Sequence, residues 1–156
     1  MRMINLIVIH CSASRENVDY SPERLESDHK ARGFLRAGYN FYIRKSGEVV
    51  TLRRWEHVPA HVQGYNEHSI GICYEGGLDA FGRALDTRTF AQKASLEQLI
   101  RHLLIRFPGS RVCGHRDLSK DLNGDGLISP AEWVKQCPSF DAEREYEGLV
   151  YELSRM

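Results

Sequence analysis

No excess of either charge marks this chain: 21 Lys and Arg stand against 21 Asp and Glu over 156 residues. A neutral balance lacks the basic surplus that nucleic acid or an anionic membrane surface would attract, so neither is expected as a partner. Long apolar runs are missing too, and no stretch reaches the roughly 20 residues that cross a bilayer. There is no internal repeat, no low-complexity segment and no linker. The N-terminus, MRMINLIVIHCSASRE, has one Arg and a short apolar run but no basic leader region. Its β-branched residues ending in His read as a core strand rather than an export signal. Cysteine is sparse. Cys11, Cys73, Cys113 and Cys137 allow two disulfides in three connectivities, but reduced thiols are the better default for a chain made in the cytoplasm. The first three sit in apolar surroundings. Cys137 lies between Lys135 and Pro138, in a polar turn where a thiolate is more readily held.

The length suits one domain over residues 1–156, large enough for a core without staples. Residues 3–10, MINLIVIH, form a continuous apolar run, as a strand buried on both faces would, with His10 at its C-terminal end. Ser21 and Pro22 read as N-cap and first residue of a helix reaching about Leu35 and stopping before Gly38. Tyr39 to Leu52 alternates and breaks at Ser46-Gly47, which predicts a β-hairpin. The two-residue period puts Tyr39, Phe41 and Ile43 on one face, and the plain reading of Tyr39 is a core aromatic. Residues 56–69 read as a polar loop carrying His57, His61 and His68. Ser69 to Tyr74 is the next strand, and residues 78–88 read as a mobile loop. From Thr89 to Phe107 a helix is predicted, with Leu96, Leu99, Ile100, Leu103 and Leu104 at spacings of three and four. Arg111-Val112-Cys113 is a short strand leading to Gly114-His115. The last helix starts near Asp141 and buries Tyr146, Leu149, Val150 and Leu153. Strands interleaved with helices predict an α/β fold with a mixed sheet.

The chemistry gathers in residues 114–141, GHRDLSKDLNGDGLISPAEWVKQCPSFD. His115 and Cys137 are both transition-metal donors, because neutral imidazole and thiolate suit zinc. His10, at a strand end where α/β sites commonly lie, is the best third candidate, although a lone histidine there is more often structural. Three protein ligands leave one tetrahedral position free, as catalytic zinc sites do, and amide hydrolysis at neutral pH is the natural chemistry. Spacing alone is weak support, since the three are scattered over most of the chain.

The segments VIHCSAS, GYNFYIRKSGEV, GYNEHSIGICYEGG, CGHRDL and KQCPSFD, in this order, carry a resemblance. The chain from Ile4 to Asp141 resembles the zinc N-acetylmuramoyl-L-alanine amidases of the phage-lysozyme and peptidoglycan-recognition-protein group, the type 2 amidases. The resemblance implies a central mixed sheet flanked by helices, with a zinc site in a surface groove. It implies hydrolysis of the amide between N-acetylmuramic acid and the L-alanine of the peptidoglycan stem peptide. His10, His115 and Cys137 match the zinc ligands. Tyr39 matches a tyrosine associated with catalysis, and Lys135 the catalytic lysine of phage-type members. His61, Tyr65 and Asn66 resemble the loop that lines the substrate groove. With no signal peptide, the expected enzyme is a monomer that meets the cell wall after release, or works on intracellular muramyl-peptide fragments.

The connection from His115 to Cys137 is longer than in short phage members. Within it, Asp121, Asn123, Asp125, Gly126, Ser129 and Glu132 match a calcium-loop template, with Leu127 supplying a carbonyl. Residues 121–132 are therefore read either as a structural Ca2+ site or as a turn held by its own Asx hydrogen bonds. Trp133 is read as the start of a following helix. Against the amidase stand a peptidoglycan-binding module without catalysis, a protein-interaction role, and a cysteine hydrolase built on Cys11 or Cys137. Retention of the cysteine ligand with Tyr39 and Lys135 argues for catalysis.

Overall fold

The structure, a computed structural model, describes residues 2–133 and 135–156. Strand β1, Leu6–Cys11, is buried at all six positions. It begins three residues later than the apolar run predicts, because Met3 and Asn5 are exposed, and it takes in Cys11. After the two-residue strand β2, Ser14–Arg15, helix α1 covers Pro22–Ala31. The Ser21 hydroxyl accepts the Arg24 N–H at 3.1 Å, so the predicted cap is in place. The helix stops short of Leu35. At Gly33 the chain turns out of it, and the N–H groups of Gly33 and Phe34 bond back to the carbonyls of Lys30 and His29.

The hairpin forms as β3, Phe41–Ile43, and β4, Val49–Thr51, paired antiparallel. Strand β5, Ser69–Tyr74, is again wholly buried, and β6, Gly77–Leu78, pairs with β2. The expected mobile loop at 78–88 is instead a closed turn: Asp79 accepts N–H groups of Phe81 and Arg83, and Leu78 bridges Ala84. Arg88 then enters the protein, paired with Asp86 and Glu145 and lying 3.4 Å from the Phe140 ring centroid. Helix α2, Phe90–Arg106, opens on a reciprocal cap between Thr89 and Gln92. Strand β7 is Arg111–Gly114, and helix α3 is Ala142–Ser154. No helix starts at Trp133; it follows a single 3-10 turn, Pro130–Glu132, and Val134 lies outside the described residues.

The five-stranded sheet runs β4-β3-β5-β1-β7, mixed, with only the hairpin pair antiparallel. Alternation along each strand sorts its two faces. Ile7, Ile9, Ile70, Ile72 and Val112 meet Leu96, Ile100 and Leu103 of α2 and Tyr146 and Leu149 of α3 in the main core. Leu6, Val8, Cys113, Tyr42 and Cys73 point the other way, toward Val62 and Leu25. His10 shares that second face by parity. Because Ile9 pairs with Gly114, the chain leaving β7 brings His115 out beside His10.

Candidate metal centre and its groove

The site assembles at the C-terminal ends of parallel strands β1 and β7. His10 is 1% exposed, and its ring lies 4.8 Å, centroid to centroid, from that of His115. Cys137 arrives from the long connection and is held against both. Its carbonyl accepts the Arg116 N–H at 2.9 Å, and its Sγ accepts the Cys11 N–H at 3.1 Å. Pro138 packs on Gly114 so closely that a Cβ there would lie 2.6 Å from its ring. Only glycine before His115 lets the cysteine turn approach the strand end. Tyr74 Oη donates to the Pro138 carbonyl at 2.6 Å and fixes the turn from below.

Among the described residues, one donor atom each from His10, His115 and Cys137 converge within 4.8 Å of one another. A nitrogen, nitrogen and sulfur set of this kind fits zinc by donor chemistry. Both imidazoles are held in the neutral form that a metal ligand needs. Burial, and then neighbouring His61, His115 and Lys135, hold the His10 imidazole neutral well below its usual range. Burial, and then Lys135, push His115 down to about 4. The polar turn around Cys137 does not by itself yield a thiolate: burial, with Cys11 beside it, pushes its thiol well up. A bound cation would reverse that.

A groove of about 350 Å³ opens over these donors, walled by Tyr39, His61 and Lys135 and by Asp28, His29, Arg32 and Phe34. The Tyr39 ring lies 4.9 Å from the His10 ring. Tyr39 does not share the face of Phe41 and Ile43, as the period implies. It precedes β3, and the buried Asn40 intervenes, accepting the Gly71 N–H and donating to the carbonyls of Arg53, Arg54 and His57. Tyr39 is thereby set against the Leu25, Tyr42 and Cys73 cluster on the His10 side. Burial keeps its hydroxyl protonated, well above the usual tyrosine range. Lys135 is exposed at the rim.

The 56–69 loop contributes Ala60 and His61 to the groove wall. His61 faces His10, its Nδ1 2.7 Å from His10 Nε2. Asn66 Oδ1 accepts the N–H groups of His61 and Val62, and Tyr65 packs on the Leu6 and Val8 cluster. The wall made by α1 went unassigned in the sequence. Leu25, Asp28, His29 and Arg32 recur at helical spacing, which was the available signal.

A second convergent set, Asp121, Asp125 and Glu132, lies in the acidic loop. Asp121 accepts the N–H groups of Gly124 and Gly126, Asn123 that of Asp125, and Asp125 that of Leu127. Glu132 takes N–H groups of Leu122, Asn123 and Ser129 and the Ser129 hydroxyl. The loop closes on its own bonds, so its fold gives calcium no support over an ion-free turn.

Comparison with known proteins agrees with this architecture. A family model described as N-acetylmuramoyl-L-alanine amidase matches residues 1–139. The endolysin of Klebsiella phage KP32 is 36% identical over 141 residues, covering 90% of this chain and 84% of that one. The solved N-acetylmuramoyl-L-alanine amidase LysC from Clostridium intestinale superposes with a TM-score of 0.71 at 27% identity, over 94% of this chain and 85% of that one. Drosophila PGRP-LB shares the fold, with a TM-score of 0.69 at 22% identity over 94% of this chain and 81% of that one. The chain belongs to the N-acetylmuramoyl-L-alanine amidase family of type 2, the group of the phage lysozymes and peptidoglycan recognition proteins.

Proposed function

We propose that this protein is a zinc-dependent N-acetylmuramoyl-L-alanine amidase, cutting the amide between N-acetylmuramic acid and the L-alanine of the stem peptide. The observation that carries the reading is the convergence of His10, His115 and Cys137 within 4.8 Å, with His10 buried behind a groove that His115 and Cys137 line and Tyr39 and Lys135 edge. These three residues hold the zinc. When bound there, the ion supplies Lewis-acid polarisation of the scissile carbonyl.

The remaining chemistry belongs to the side chains. Tyr39, kept protonated by burial, acts as a hydrogen-bond donor that orients the carbonyl or the attacking water. Lys135, on the rim beside His115, places its ammonium where the tetrahedral oxyanion develops. His61, Tyr65 and Asn66 belong to the loop that borders the muramyl-peptide site, and the helix α1 side chains form the opposite wall. The whole chain serves one amidase activity, with residues 121–132 as an inserted loop that spaces Lys135 and Cys137 from His115. No helix among the described residues is long and apolar enough to cross a membrane, and the protein works on wall material or its fragments.

The test is product analysis on a muramyl peptide by mass spectrometry. Release of an intact stem peptide with a free L-alanine amine, stopped by a chelator and restored by zinc, is expected. Cleavage that survives chelation but stops on thiol alkylation would point to a cysteine hydrolase instead. Binding without cleavage would point to a recognition module.

A further inference from the structure

The loop histidine His61 has a more specific arrangement than a groove wall requires. Its Nδ1 lies 2.7 Å from His10 Nε2, and its Nε2 lies 2.7 Å from the hydroxyl of the fully buried Ser69. Both ring nitrogens are therefore engaged, neither by solvent. His61 is also outside the set of donors that converge with His115 and Cys137.

Everything around the ring holds it in that pose. Gly71 lies beneath it, where a Cβ would come 2.8 Å from His61 Nδ1, so the ring needs glycine at that strand position. The backbone of His61 is fixed by Asn66 Oδ1 at 2.9 Å. The Arg2 guanidinium ties the loop down, donating to the carbonyls of Trp55, Asn66 and Ser69.

The chain His10, His61, Ser69 can carry its protons in two directions, with different consequences. If His10 Nε2–H donates to His61 Nδ1, then His61 Nε2–H donates to Ser69 Oγ, and His10 Nδ1 keeps a free lone pair. If the direction is reversed, the neutral His10 carries its proton on Nδ1 and has no lone pair there. Only the first direction leaves His10 a donor. We propose that His61, backed by Ser69, is a positioning residue that fixes the ring orientation and tautomer of His10 so that Nδ1 faces the metal. Outer hydrogen bonds of this kind set metal affinity as well as ligand direction.

This inference rests on the zinc reading of the site and adds to it the residue that prepares the ligand. The test measures Zn2+ affinity of the full-length protein by competition with a chromophoric chelator, alongside kcat and KM on a muramyl peptide. His61→Ala lowers zinc affinity roughly 10- to 100-fold. His61→Asn puts an amide oxygen near the place of Nδ1, restores the acceptor, and returns affinity toward that of wild type. Ser69→Ala is a small change that carries the same test without removing the ring, and it weakens zinc in the same direction. In Ser69→Ala, whose side chain does not line the groove, activity recovers when zinc is raised to saturation.

A pure substrate contact behaves differently: it raises KM and leaves zinc affinity alone. Wild-type zinc affinity in both His61→Ala and Ser69→Ala overturns the inference while the zinc amidase stands. So does an Asn variant as weak as the Ala variant. A wild-type chain that takes up no zinc overturns the functional reading, and this inference with it.

Discussion

Acid should weaken the metal-free fold through the histidines of the site, and His115 allows the size to be worked out. Its imidazole sits at about 4 in the folded protein, chiefly through burial, against 6.5 for an ordinary histidine. The folded state thus binds fewer protons than the unfolded state between those values, and stability rises with pH across that window. Read downward, the full contribution is present above 6.5 and is lost as pH falls. For this one group the loss is about 2 kcal/mol by pH 5 and about 3 kcal/mol by pH 4, taking 1.36 kcal/mol per pH unit of displacement. His61, pushed down to about 3, acts in the same direction. His115 itself helps to lower His61 through charge repulsion, so their effects do not simply add. The assay is urea unfolding of chelator-treated protein from pH 7.5 to 5, compared with His115→Gln, which has no group to titrate. The difference in stability between the two should shrink by about 2 kcal/mol over that range. Parallel pH profiles for the two proteins would refute the claim that His115 is held neutral by its surroundings.

Other expectations follow from single contacts. Cys137→Ala and His115→Ala should each lose zinc and activity together, read by elemental analysis and peptide cleavage; full activity in a metal-free variant contradicts the mechanism. Tyr39→Phe should keep zinc and lower kcat by about 100-fold if its protonated hydroxyl orients the carbonyl or the attacking water as proposed. Lys135→Ala should likewise keep zinc and lower kcat by about 100- to 1000-fold. Loss of metal from either variant would mean that a ligand has been misassigned. Arg88→Met should cost about 3 kcal/mol in chemical denaturation, because a buried cation leaves Asp86 and Glu145 without their partner. An unchanged midpoint would show that those carboxylates are satisfied by water.

Much of the frame was legible because it rests on local pattern. The unbroken apolar run of β1, the leucine spacing of α2 and the Ser46-Gly47 break in the hairpin each express a periodicity that tertiary packing does not override. His10 and His115 were readable as strand-end residues for the same reason. Other features depend on contacts that sequence spacing does not encode. Phe34 and Leu35 extend the apolar pattern of α1, yet the chain turns at Gly33 and Leu35 stands exposed. The period placed Tyr39 with Phe41, but the buried amide of Asn40 interrupts the strand and sends Tyr39 to the opposite face. Residues 78–88 look like a loose loop until Arg88 meets Glu145, 57 positions away. Cys137 reads as a held thiolate in its polar turn, whereas burial with Cys11 beside it favours the thiol. His61 could not be told from a substrate contact, because its partners Ser69 and Gly71 declare themselves only when the loop folds over β5.

The most direct measurement is zinc content of the purified, tag-free protein by elemental analysis, run beside Cys137→Ala on the same muramyl-peptide assay. The account predicts about one zinc per chain in the wild type, with cleavage, and neither in the variant. Cleavage by a wild-type protein that carries no zinc, or an active Cys137→Ala, would contradict it.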